Sequence, residues 1–327
     1  MDQPTVEPLI TVVLPVRDRA DLLPRTLRSI QHQTLRPLRV VIADNGSTDA
    51  APRIIAEWKE RVAPEGISVT IVSEPRPGAA RARNAALAMV DTPFTLHFDS
   101  DDEMLPDHLA QVDAWLRQHP DTDLLRWDVS ILDDDGWTTL KSVGDDNLLR
   151  GHILHAALAT QRYAVRTGLL REIGGWDETL ECWDDLELGA RLLARKPVVG
   201  YLRCEPRVII HPSEQSVTGR RMADNHDAKG RALDACRRAL RHTDMEPETL
   251  WIDAKAMILS GLYAREGEPE LSERLARTTL EAVGSRSVRL RLQLIRLAVI
   301  IAGQGGCAMA KALLKTPVAP AQDKKQS

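Results

Sequence analysis

From Leu9 to Phe98 the chain alternates short runs rich in β-branched residues with longer stretches whose apolar residues recur at helical spacing. The runs ITVVLPV, LRVVIAD, ISVTIVSE and FTLHFD predict strands, and Ala20 to Gln33, Thr48 to Arg61 and Gly78 to Val90 predict the helices between them. Such alternation builds a parallel sheet covered by helices, an α/β architecture. Past Pro106 a further helix is predicted to about His119. LLRWDVSIL and a DDDGW turn follow, and the Asp-Gly step there predicts an antiparallel hairpin. REIGGWDE, a helical DDLELGARLLAR and short strands in VVGYLRC and RVIIH come next. Beyond about Ser216 charged amphipathic stretches follow one another, with turn signals at Glu246-Pro247, Glu268-Pro269, Gly284-Ser285 and Gly303 to Gly306. This predicts an all-helical extension with no fixed repeat, and a frayed tail over the last fifteen or so residues.

Length and composition narrow the classes. A chain of 327 residues can form one large domain or two. Its 43% hydrophobic and 28% charged residues are those of a soluble globular protein. With 43 basic against 47 acidic residues the net charge is −4, which argues against nucleic acid as a partner. Cys182, Cys204, Cys236 and Cys307 show no CxxC spacing, so neither a zinc site nor a redox pair is indicated, and a reducing, cytoplasmic setting is expected. The start, MDQPTVEPLITVVLPV, lacks the basic region and long apolar centre of a signal peptide, in line with that expectation.

The stretch LHFDSDDEML puts Asp99, Asp101, Asp102 and Glu103 within five positions. Like charges so close repel one another unless a cation, a donor set or water compensates. Alone, the stretch would serve as a solvated acidic turn, and Asp44-Asn45-Gly46-Ser47 as a turn in which Ser47 or Thr48 caps the next helix. Both segments, however, end predicted strands of one sheet, and open α/β sheets bind ligands beyond the carboxyl ends of their strands. Asp44 and Asp99 are therefore expected to face one crevice. A dinucleotide site needs glycines after the first strand, and PVRDRADLLP has none. A phosphatase with a nucleophilic Asp at a strand end would want a DxDxT run, which fits poorly here because the Thr is missing. A third reading is an acidic pair holding a hard divalent cation, which shares a substrate's phosphates. GAARARN supplies Arg81 and Arg83, whose guanidinium groups suit phosphate.

Taken in order, LPVRDRADLLPRTLRSIQHQTLRPLRVVIADNGSTD, GAARARNAAL, FDSDD, GGWDE and WDDLEL resemble a family 2 glycosyltransferase of the GT-A fold, over about Leu9 to Thr218. The resemblance implies a Rossmann-like mixed sheet flanked by helices in residues 1–218, with a C-terminal helical region over residues 219–327. It implies an inverting transfer from a nucleotide-diphosphate sugar, UDP-sugar favoured, with Mn²⁺ or Mg²⁺ as cofactor. Position by position, it places Pro15, Arg17 and Asp18 along the base pocket, Asp44 on the nucleoside and Arg83 on the nucleotide. Asp99 and Ser100 then serve the donor, Asp101 is the metal ligand and His211 a second one. Asp185 falls at the position of the general base that deprotonates the acceptor hydroxyl. Asp184 stands where the family usually has Glu, and Val16-Arg17 where it often has an aromatic residue. Glu187 is a fallback base or an exposed helix residue, and Trp176 and Trp183 either pack or stack on a sugar. The competing reading is a nucleotide-sugar binding protein without catalysis.

The acceptor class stays open among carbohydrate, lipid-linked and peptide. In the C-terminal region RLRLQLIRLAVIIAGQGG is too short for the roughly 18 apolar residues of a membrane span. It suits packing against the catalytic domain, a homodimer contact, peripheral contact with the inner face of an anionic membrane, or recognition of a large acceptor.

Overall fold

The computed structural model describes residues 7–133, 136–140, 147–212 and 221–314. Its first part alternates β1 (Ile10–Val16), α1 (Leu23–Gln31), β2 (Leu38–Asp44), α2 (Ala51–Val62), β3 (Ile67–Ser73), α3 (Ala79–Ala88) and β4 (Phe94–His97). There follow β5 (Glu103–Met104), α4 (His108–Gln118), β6 (Leu124–Trp127), β7 (Val129–Asp133), β8 (Gly136–Leu140), α5 (Leu148–His155), β9 (Tyr163–Arg166), α6 (Thr167–Glu172), α7 (Asp184–Ala194), β10 (Val199–Leu202) and β11 (Val208–Ile210). Five helices close the described chain: α8 (His226–Leu240), α9 (Thr249–Arg265), α10 (Pro269–Ala282), α11 (Arg286–Ala302) and α12 (Gly306–Leu313).

The large sheet runs β10-β6-β9-β4-β1-β2-β3. β9 is antiparallel to both its neighbours, and the other pairs are parallel. The carboxyl ends of β2, β1, β4, β6 and β10 therefore share one edge. β1 is central and covered on both faces, which is why its sequence is apolar throughout rather than alternating. Val12 and Leu14 enter one core with Leu27 of α1, Ile55 and Trp58 of α2 and Val112 of α4. Val13 enters the other, with Ala82 and Ala86 of α3, Ile153 of α5 and Leu188 of α7. That second core continues through Trp251 and Met257 of α9 to Leu292 and Ile295 of α11, so the C-terminal helices share it with the sheet. The predicted domain boundary at Thr218 and the predicted frayed tail lie outside the described residues.

LLRWDVSIL is divided between two sheets: Leu124–Trp127 belongs to the large sheet, and after Asp128 the chain passes into a second sheet ordered β5-β11-β7-β8. Alternation carries no mark of such a switch, because Leu125, Trp127 and Val129 are all buried. The hairpin is present as β7 with β8, Asp133 registering with Gly136, while Asp134 and Asp135 of its turn lie outside the described residues. The sequence reading also assigned no element to α5 or β9. In the extension, α11 buries Leu292, Ile295 and Val299 and exposes Leu290, Leu294, Leu297 and Ile301. No described helix is long and apolar enough to cross a membrane.

Candidate active site

The loops after β1 and β2 are laced together at the sheet edge. Val16 registers with Asp44 and Pro15 with Ala43. Asp18, at φ +48°, donates its amide to Ser47 Oγ (3.1 Å), and its Oδ1 accepts from the Thr48 amide (2.7 Å) and hydroxyl (3.1 Å). The Thr48 amide, above all, holds the Asp18 carboxyl below the usual range. Asp44 Oδ1 accepts from the Ser47 amide at 3.1 Å. Ser47 and Thr48 thus fasten the loops and do not cap α2, which begins at Ala51 under Asp49 (2.9 Å to the Ala51 amide). Arg17 is exposed, its Nε 3.8 Å from Asp18 Oδ2.

Arg83, one turn into α3 and 6% exposed, joins the motifs. Its Nη1 donates to Asp184 Oδ2 (2.7 Å) and its Nη2 to Asp99 Oδ1 (3.0 Å). Its Cζ lies 4.3 Å from the Trp176 ring centroid. Burial opposes its charge, yet Asp184 and Asp99 keep its pKa above the ordinary value. Trp176 is a packing residue: it is buried, and its Nε1 donates to His97 Nε2 at 3.2 Å. Burial, with Arg83 beside it, keeps His97 neutral. Asn84 clamps the GGWDE turn, accepting from the Trp176 amide (2.8 Å) and donating to its carbonyl (2.9 Å). Gly175 is required there, since at φ +70° a Cβ would meet Asn84 Oδ1 at 2.5 Å.

The acidic run is divided among distinct partners. Gln161 Nε2 donates to Asp99 Oδ2 (2.7 Å) and also reaches Asp102 Oδ2. Asp102, 2% exposed, accepts from the His211 amide (2.9 Å), and burial and then Asp99 push its pKa well up. Glu103 lies in β5, paired with β11, and α4 starts later at His108. His211 Nε2 stands 2.8 Å from Glu103 Oε2. Ser100 is buried. Asp101 is half-buried, and its pKa is raised by burial and then by Asp99, against the pull of Arg19 and Arg25. Gln161 escaped sequence reasoning because it sits about sixty positions from the residues it holds, in a one-turn 3₁₀ segment without periodic signal.

Asp184 and Asp185 open α7 after Trp183, whose φ is +56°. Asp184 Oδ1 accepts from the Asp185 amide (3.1 Å) and Asp185 Oδ1 from the Leu186 amide (2.8 Å). Asp184 therefore has a second task beyond the helix start, because its other oxygen holds Arg83. Burial and then the Asp184 charge raise the Asp185 pKa to about 7. Glu187 is neither exposed nor available as a base: it is 4% exposed, and both its oxygens are held by Arg191.

No group of three or more His, Cys, Asp or Glu side chains is poised around a metal among the described residues. A Mg²⁺-type site shared with substrate phosphates, however, takes only one or two protein carboxylates. Asp101 fits that role, since its raised pKa marks a carboxylate short of compensating charge. The Nε2 of His211 would have to exchange Glu103 for the cation.

The family model "Glycosyl transferase family 2" matches residues 11–167, which contain β1 to β4 and the acidic run. A validoxylamine A glucosyltransferase of Streptomyces hygroscopicus subsp. jinggangensis is 27% identical over 277 residues, covering 75% of this chain and 63% of the relative's length. A PGL/p-HBAD biosynthesis glycosyltransferase of Mycobacterium bovis is 26% identical, covering 57% of this chain and 74% of its own. Among solved structures, S. aureus TarS in complex with UDP-GlcNAc superposes with a TM-score of 0.66 at 15% identity, over 93% of this chain and 90% of that one. The mannosyltransferase PcManGT from Pyrobaculum calidifontis, in complex with GDP-Man and Mn²⁺, gives 0.59 at 19% identity, over 95% and 86%. These likenesses give the fold as GT-A, and residues 11–167 are similar to the glycosyl transferase family 2 model.

Proposed function

We propose that the protein transfers a sugar from a nucleotide-diphosphate donor, UDP-sugar favoured, to an acceptor hydroxyl by a single inverting displacement. The observation that carries this reading is Arg83, which binds Asp99 of the acidic run and Asp184 beside the candidate base with one guanidinium. Donor carboxylates and base are thereby held against each other although about eighty positions separate them in sequence.

In this reading the fastened loops carrying Pro15, Arg17, Asp18 and Asp44 receive the nucleoside. Asp99, oriented by Arg83 and Gln161, and Ser100 orient the donor. Asp185 accepts the proton of the acceptor hydroxyl as that oxygen attacks the anomeric carbon from the face opposite the diphosphate. The bond to the diphosphate breaks with its electron pair leaving on the phosphate oxygen, and no enzyme-bound sugar forms. A carboxylate with its pKa near 7 is a stronger base than an ordinary one while still largely ionised at slightly alkaline pH. A divalent cation held by Asp101, with His211 beside it, would supply stabilisation of the departing diphosphate.

The test is a panel of nucleotide sugars with Mn²⁺, scored by donor hydrolysis and thermal shift. Stabilisation by a UDP-sugar, lost in Asp101→Ala, is the expected result. No response to any donor would sink the reading, whereas binding without turnover in every acceptor screen would favour the non-catalytic binding protein.

A further inference from the structure

Helix α11 is apolar on two opposite sides. Leu292, Ile295 and Val299 are buried, and Val299 stands so close to α9 that a Cβ on Gly261 would meet it at 2.7 Å. Leu290, Leu294, Leu297 and Ile301 recur at steps of four, three and four residues and are 44–73% exposed. At about 100° per residue they fall within roughly 60° of one another, on the side away from α9. The close approach at Gly261 keeps the helix from rolling that stripe inward.

Scattered apolar side chains on a surface need no explanation. Four in one line are different when the opposite side of the helix already supplies the core, because a surface helix ordinarily turns polar residues to water. The charges around the stripe are of one sign. From Ser285 to Leu314 the sequence has five basic residues and no acidic one. Arg286 and Arg291, both exposed, lie on either side of the stripe. Arg296 sits further round, where its Nη2 donates to Ser272 Oγ at 2.9 Å and to Glu273 of α10. The sequence that follows adds Lys315, Lys324 and Lys325 against Asp323. Residues 285–327 thus carry eight basic residues against one acidic, whereas residues 1–284 carry 35 against 46.

We propose that the exposed face of α11 docks the protein reversibly on a membrane surface rich in anionic lipid, with the helix parallel to that surface. Charge selects this occupant. A second copy would set these arginines against its own, with no carboxylate in α11 or α12 to offset them. A protein partner would need an apolar groove rimmed by carboxylates, whereas an anionic bilayer needs no matching shape. There the leucines enter the acyl boundary, the guanidinium groups reach lipid phosphates on their long stems, and the acidic remainder of the chain is held off in water. The helix lies on the surface and does not cross it, since no described helix is long and apolar enough to span. None of this rests on the transferase reading.

The test is flotation of the full chain with vesicles of phosphatidylcholine alone and of phosphatidylcholine mixed with phosphatidylglycerol. Wild type is expected to bind the mixed vesicles at least tenfold more strongly than the neutral ones, and less strongly as salt is raised. Leu294→Asp combined with Leu297→Asp should weaken that binding at least tenfold while the circular dichroism spectrum is retained, because both positions are exposed. Arg291→Gln should weaken binding about fivefold on mixed vesicles and leave neutral ones unaffected. It keeps the test decisive should the leucine variant fail to fold. Absence of wild-type binding to mixed vesicles, equal binding to neutral ones, or undiminished binding by either folded variant overturns the proposal. A dimer in sedimentation equilibrium that Leu297→Asp dissociates overturns it in favour of a second copy.

Discussion

Replacing Arg83 with Met removes a side chain that joins the acidic run to α7. Met fills much of the same space, so the perturbation is chiefly electrostatic. Arg83 is 6% exposed, and its two ion pairs, at 2.7 and 3.0 Å, are shielded from water on the arginine side. Removing one partner of a buried pair costs about 3–5 kcal/mol. Asp99 and Asp184 keep 30% and 17% side-chain exposure, so water recovers part of this, and the lower end applies. Loss of the contact with Trp176 adds roughly 0.5–1 kcal/mol. The expected destabilisation is therefore about 3–4 kcal/mol at pH 7, a large part of the ~5–15 kcal/mol a folded domain commands. Urea titration at fixed protein concentration measures it as a lowered midpoint at unchanged slope. A double-mutant cycle with Asp184→Asn should show coupling of about 1 kcal/mol or more, because the same bond is removed twice. A loss under about 1 kcal/mol, or strict additivity with Asp184→Asn, would refute the claim that Arg83 holds the site together.

Asp185→Asn is expected to retain UDP binding and to lose transfer by about 10²–10⁴-fold, the range for a general base, measured as turnover at saturating donor; a wild-type rate would remove Asp185 from the mechanism. The wild-type rate should rise with pH through about 7 as Asp185 ionises, and Asp185→Asn should lose that limb. Stability should move the opposite way. A carboxyl whose folded pKa is raised binds more protons in the native state, so the stability it contributes is present below pH ~4 and lost as pH rises through about 7, seen as a falling urea midpoint. Asp101→Ala should abolish the Mn²⁺-dependent part of UDP binding in calorimetry while leaving the melting temperature without ligand within a few degrees; Mn²⁺-dependent binding at wild-type strength would exclude it as the ligand. Gly189→Ala should destabilise by about 1–3 kcal/mol in thermal melts, since its Cβ would lie 2.2 Å from His152 Nε2, which donates to the Leu186 carbonyl at the start of α7. An unchanged melting temperature would show that α5 and α7 can part without cost.

Much of this protein was legible in its sequence because the relevant physics is local. ITVVLPV, LRVVIAD and FTLHFD read as strands from their own composition, and the strand-end rule then put Asp44 and Asp99 at one edge with no other information. Helix α3 and the place of Arg83 near its start followed from spacing in the same way. What spacing could not reveal was which side chains hold each other. Gln161 between Asp99 and Asp102, Asp184 on Arg83 and Glu103 against His211 are meetings between segments tens of positions apart. The same limit explains the division of LLRWDVSIL at Asp128: every residue there prefers a strand, and only packing determines which sheet each half joins. Propensity and periodicity act over a few residues and specify the elements of this chain. The partners of its charged groups, and with them the base strength of Asp185, depend on distances and burial that arise only when those elements close around one edge.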